Sequence, residues 1–144
     1  MMNKRSLLKS VLLGALMVSG LAANAADCKE YTPPADEVVI HYNRPDGNYA
    51  DWGIHLWRSP NVGLTNWFVP LMPKGCDAFG VYFTQPLAKF GSSGKVNYII
   101  HKGDVKEQGA KDMSFDSAKG KEVWINSGDP KIYFSKDEAV AAKK

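Results

Sequence analysis

The stretch VVIHYNRPDGNYADWGIHLW, Val38 to Trp57, reads as two strands around a strong turn. Val38-Val39-Ile40-His41-Tyr42 is rich in β-branched and aromatic residues, and Arg44-Pro45-Asp46-Gly47-Asn48 ends it with turn formers. Gly53 to Trp57 follows, and its period of two sorts the side chains. Ile54 and Leu56 share one face as core, which leaves His55 and Trp57 together on the other. Two flat rings at i and i+2 on a solvent face make a stacking surface. Sugar rings carry patches of C–H bonds that pack on aromatic faces while neighbouring polar groups take the hydroxyls. The competing reading places Trp57 under a loop or against an opposite sheet.

Moving outward, the same pattern recurs to the end of the chain. Trp67–Val69, Phe79–Thr84, Lys95–His101, Glu122–Ile125 and Lys131–Phe134 are further short runs. Phe79, Val81 and Phe83 fall on one face of their run, as do Val96, Tyr98 and Ile100 on theirs. Seven short strands separated by Gly, Pro, Asn and Asp imply an all-β fold, a two-sheet antiparallel β-sandwich of immunoglobulin-like type. A small closed barrel is the alternative. Trp52, five residues before Trp57, is expected in the core; Trp124 is expected exposed or half covered, and Trp67 is undecided. Residues 136–144, rich in Ala and Lys, read as a flexible tail, frayed or helical. No repeat or linker divides the chain.

The first 25 residues have the three parts of a secretory signal peptide. Lys4, Arg5 and Lys9 form a positive segment, Val11–Ala22 is apolar, and Ala23-Asn24-Ala25 supplies small residues for cleavage after Ala25. The apolar run is short for a membrane span, which needs about 20 residues. Asp27 before Cys28 argues against lipid attachment. The mature domain therefore spans 26–135 and works outside the cytoplasm, secreted or periplasmic, with no membrane partner after cleavage. In an oxidising compartment Cys28 and Cys76, an even pair, are expected as one disulfide. Closing that loop is worth about 4 kcal/mol on the chain-entropy account.

Charge excludes further classes. The whole chain of 144 residues has 18 Lys+Arg against 15 Asp+Glu, a formal +3. All three excess positives lie in the leader, so the mature chain is formally neutral and has no basic stripe for nucleic acid. No Gly-x-Ser-x-Gly, phosphate loop or nucleophile with an evident base is present. His41, His55 and His101 are too scattered in sequence to imply a metal site, and no cofactor is expected. The polar concentration from His101 through Lys102, Asp104 and Lys106 to Lys111-Asp112 is expected in a loop at one end of the sandwich. Its Lys donors and Asp acceptors suit vicinal hydroxyls, and a solvated charged loop is the plainer reading.

Three ordered blocks carry a resemblance: Val38–Trp57, YIIHKGDVKEQGAKD at Tyr98–Asp112, and KGKEVWINSGDPKIY at Lys119–Tyr133. Together they resemble the starch-binding module attached to bacterial pullulanases, carbohydrate-binding module family forty-one. The resemblance implies a β-sandwich that binds α-glucans such as pullulan, amylose, glycogen fragments or maltooligosaccharides, without catalysis. It implies Trp57 and His55 as the stacking platform, and Lys102, Asp104, Lys106 and Asp112 as polar contacts. This sequence has no tryptophan between His101 and Asp112, which implies a smaller platform and weak affinity for short oligosaccharides. No hydrolase domain follows to Lys144, so the expectation is a stand-alone, monomeric binding module, with any glycoside hydrolase acting in trans. The alternative is a periplasmic interaction or structural sandwich that has lost the sugar.

Overall fold

A computed structural model describes residues 28–144; the signal-peptide reading of residues 1–25 and its cut after Ala25 lie outside them. The chain folds as two packed sheets. The first takes β1 (Glu37–Asn43), β4 (Gly75–Cys76), β5 (Val81–Pro86) and β9 (Glu122–Asn126) in the order β4-β5-β1-β9. The second takes β2 (Gly53–Ser59), β3 (Val62–Gly63), β6 (Lys95–Lys102) and β7 (Val105–Lys106) in the order β3-β2-β6-β7, with β8 (Met113–Asp116) also on β6. All pairs are antiparallel except β1 with β9, which runs parallel. These are the first and last strands, so the intervening chain supplies the long crossover that a parallel pair needs.

Alternation builds the core. Val38, Ile40 and Tyr42 of β1 meet Ile54 and Leu56 of β2, Val81 and Phe83 of β5, Val96, Tyr98 and Ile100 of β6, and Val123 and Ile125 of β9. Trp52 joins this cluster, as its parity predicts. Cys28 and Cys76 form a disulfide with Cα atoms 4.7 Å apart, tying the segment before β1 to β4.

Four expectations are corrected. Trp67–Val69 is a tight turn, not a strand: the Val69 N–H donates to the Asn66 carbonyl at 3.1 Å and the Phe68 N–H to the Asn66 side chain at 2.8 Å. Lys131–Phe134 is reduced to a single bridge between Tyr133 and Trp124. Phe79 leaves the face of Val81 and Phe83, because Asp77 closes a turn before β5 starts, accepting the N–H groups of Phe79 and Gly80. Trp124 is buried, 9% exposed, rather than open.

The chain's end explains both aromatic residues. Lys136–Ala141 forms the helix α1, capped by the Ser135 side chain, which accepts the Glu138 N–H at 3.3 Å. Asp137 and Glu138 sit in its first turn, where negative charge is favoured. Of the forms expected for this Ala- and Lys-rich tail, the helix is the one present. Its Ala139 packs with Phe79, Trp124 and Tyr133 on the outer face of the first sheet. The Asn126 side-chain amide donates to the Ala139 carbonyl at 2.9 Å and fixes the docking.

Candidate functional site

The second sheet has an outer face of different character. Pairing places His55 opposite Ile99, Trp57 opposite Asn97 and Gly53 opposite His101. Because Ile54 and Leu56 point inward, His55 and Trp57 share the outer side, and both are half-buried. Their rings lie 5.4 Å apart at 28°. An open cleft of about 410 Å³ runs beside them, lined also by Ser59, Pro60, Trp67, Lys106 and Asp112.

Trp67 is the ring the sequence left undecided. It stacks on His101 with centroids 3.8 Å apart and planes at 4°, and presents an edge contact to His55 at 5.6 Å. Its indole N–H donates to Asp104 at 3.3 Å. No tryptophan lies between His101 and Asp112, and the turn after β3 brings Trp67 to that loop. The sequence signal for it was Asn66, a side chain that closes turns on its own backbone. Pattern alone took the adjoining aromatic residues for a strand.

The polar candidates divide. Lys106 and Asp112 line the cleft and approach each other at 3.9 Å, and the Lys106 ammonium lies 5.7 Å from the Trp67 ring centre. Asp104 lies at a neighbouring cleft, across Trp67. Lys102 does not join them. It is exposed and has the parity of Val96, Tyr98 and Ile100, opposite to His101, so its strand directs it away from the cleft face. The three histidines also separate: His41 is on β1 of the first sheet, between Asp77 at 2.9 Å and Glu122 at 2.7 Å.

The loop that carries Lys106 and Asp112 is anchored from below. Gly103-Asp104 turns β6 into β7 in two residues, and Gly103 at φ +55° supplies the left-handed conformation that such a hairpin turn requires. Next along, Glu107 accepts from Arg44 at 3.0 Å, from the Ser127 hydroxyl at 2.9 Å and from the Gly128 N–H at 2.7 Å, and bonds the Tyr42 phenol. Burial, and then that carboxylate, push the Tyr42 phenol well above its ordinary value, so it stays a donor. Gln108 continues the anchor, accepting from the Tyr98 hydroxyl at 2.7 Å.

His55 has a defined state. Burial lowers its pKa below the ordinary histidine value, repulsion from His101 adds to this, and Asp112 opposes it. The ring is therefore neutral at pH 7. The Thr65 hydroxyl lies 2.8 Å from Nδ1 and already accepts the Leu56 N–H at 2.9 Å. That hydroxyl has a second lone pair and its own hydrogen, so it pairs with Nδ1 in either tautomer and holds the ring in place. The site thus combines two tryptophan rings, a neutral imidazole, an ammonium and a carboxylate.

Comparison with known proteins gives a consistent result. The family described as bacterial pullanase-associated domain matches residues 36–134. An α-amylase of Streptomyces lividans is 42% identical over 71 residues, covering 49% of this chain and 7% of that protein. A pullulanase of Klebsiella aerogenes is 27% identical over 138 residues, covering 92% of this chain and 12% of that protein. The chain thus spans a small fraction of the curated relatives' length. Among solved structures, PulA of Klebsiella pneumoniae aligns with TM-score 0.64 and 24% identity, over 83% of this chain and 12% of that one. A structure described as α-glucan recognition by family 41 carbohydrate-binding modules from streptococcal virulence factors aligns with TM-score 0.60 and 23% identity. It covers 73% of this chain and 50% of that one. At these identities the solved structures establish a shared fold.

Proposed function

The chain belongs to the bacterial pullanase-associated domain family, and from that premise we propose that it is a non-catalytic α-glucan-binding module. The observation that carries this reading is the open outer face of the second sheet, where His55, Trp57 and Trp67 gather around one cleft. Glucose rings pack their C–H faces on Trp57 and Trp67. Lys106, Asp112 and the His55 Nε2 take the hydroxyls. The ligands are pullulan, amylose, glycogen fragments or maltooligosaccharides, and a neutral mature surface suits an uncharged polymer. Relatives named α-amylase and pullulanase support a glucan as ligand and glucan hydrolysis as the setting in which it is bound. The leader-like residues 1–25 and the Cys28–Cys76 disulfide support a secreted or periplasmic site of action.

Affinity electrophoresis through gels containing amylose or pullulan tests the assignment. Trp57→Ala, at a half-buried position outside the main core, is expected to fold and to lose retention on both polymers. Unchanged retention of the folded variant would remove Trp57 from the site. A wild-type protein that passes all α-glucan gels unretarded would favour an interaction or structural sandwich instead.

A further inference from the structure

Two aromatic rings at the centre of a tight turn are an unusual choice, since Gly, Asn, Asp and Pro are the residues that turns prefer. Trp67 and Phe68 hold those positions between Asn66 and Val69. Phe68 is 89% exposed, and Val69 and Met72 beside it are exposed as well. The turn is nevertheless rigid. Asn66 closes it twice, through its carbonyl and its side chain. After it, Leu71 exchanges two backbone hydrogen bonds with Ile54, at 2.9 and 3.0 Å. Pro70 lies on Gly53 so closely that a Cβ there would stand 2.8 Å from the proline ring. Trp67 itself is clamped by the His101 ring and by Asp104.

On the far side of Trp67 lies a second cleft of about 410 Å³, lined by Asp51, Phe68, Pro70, Met72, Gly103 and Asp104. Trp67 is a wall of both clefts, so a ligand that fills the first and continues past this ring enters the second. We propose that the Asn66–Val69 turn is a second stacking subsite, which takes further glucose residues of the same α-glucan chain across Trp67 onto Phe68. The inference rests on the α-glucan reading above. The Phe68 ring supplies the apolar face, and the Asp51 and Asp104 carboxylates accept hydroxyls. Because Trp67 and the backbone of the turn are already held in place, binding orders little beyond the Phe68 ring. The Trp67 wall shared with the first cleft, and two acceptors at its edge, favour a sugar polymer over a protein surface as the occupant.

Calorimetry with maltotriose and maltoheptaose on the wild type and on Phe68→Ala is the test. The wild type should bind the longer sugar about tenfold more tightly, the upper range for one added ring contact. Phe68→Ala should lower maltoheptaose affinity by about that factor and maltotriose affinity less than twofold, while Phe68→Tyr keeps the length preference. At an exposed turn tip neither substitution disturbs the core. A length preference that survives Phe68→Ala, or one absent from a wild type that binds both sugars equally, overturns the second subsite and leaves the first cleft standing. A wild type that binds neither sugar overturns both.

Discussion

The molecule holds stacked His–Trp pairs on the outer faces of both sheets, and they meet opposite fates. On the first sheet His41 and Trp124 lie opposite each other on β1 and β9, 5.0 Å apart and nearly coplanar in orientation. Both are buried under α1 and the Asp77 turn. On the second sheet Trp67 stacks on His101 and Trp57 on His55, yet Trp57 and Trp67 keep one side towards an open cleft. The same chemistry therefore stabilises in one place and is available to a ligand in the other. What separates them is a cover, and the strands record it. β1 is buried on both faces from Val38 to Asn43, whereas β2 alternates between buried Ile54 and Leu56 and half-buried His55 and Trp57.

Removing the covered tryptophan is the strongest way to break this contrast. Trp124→Ala is expected to cost about 3–5 kcal/mol, the range for truncating a buried aromatic side chain. Chemical denaturation measures the loss, and retention on amylose per folded molecule should be unchanged. If Trp124→Ala also weakens retention of the folded protein, the first sheet is not merely structural.

A smaller effect is expected from the carboxylate beneath the same cover. Burial alone would raise the Asp77 carboxyl, but its hydrogen bond to His41, the charge there and the N–H groups of Gly80 and Phe79 outweigh this and hold it below the ordinary value. A depressed carboxyl stabilises the fold above the pKa it has in the unfolded chain, near 3.8. That contribution is lost as pH falls through the lower, folded value. Asp77→Ala should therefore cost about 1–3 kcal/mol at pH 6. It should also flatten the acid limb of stability against pH, measured by urea unfolding from pH 6 to pH 2.5. A limb of unchanged steepness would show that other carboxyls carry it.

The contrast also marks how far the sequence could be read. The long strands were legible, since Ile54/Leu56 and Val96/Tyr98/Ile100 alternate cleanly and turn residues bound each run. The disulfide was legible because two cysteines allow one pairing. β3, β4 and β7 are two residues each and too short to show any period. Trp67–Val69 was misread because strand preference in an aromatic run reflects packing on a sheet; here Phe68 and Val69 project into solvent, and Trp67 reaches the sheet from a turn rather than from a strand. Trp124 was misjudged for the opposite reason. Its cover comes from Ala139 and Tyr133, and no local pattern reports a docking partner. Around the open cleft, His55 and Trp57 followed from parity, while Lys106 and Asp112 were named by the resemblance. Trp67 and the Thr65 contact depend on a loop folding back over β2, which is a tertiary event. Lys102 failed on parity, a criterion that the strand Lys95–His101 already contained.

The smallest expected effect lies in the open cleft and turns on a single proton. His55 has a pKa below the ordinary histidine value, first through burial and then through repulsion from His101. A base held low is neutral in the folded state, so its favourable contribution is complete above about pH 6.5 and declines as pH falls towards the folded value. A glucan stacked over the ring removes more water from it and favours the neutral form further. Protonation also makes both ring nitrogens donors, the Nδ1 side facing the Thr65 hydroxyl. Affinity for maltoheptaose should thus fall as pH is lowered from 7 to 5, by at most about threefold for half a unit between free and bound pKa. His55→Phe keeps a flat ring without the proton and should bind with little pH dependence. Calorimetry at both pH values on both proteins decides it. A wild-type affinity that is flat from pH 7 to pH 5 would mean that the imidazole makes no contact with the sugar, leaving the open face to its two tryptophans.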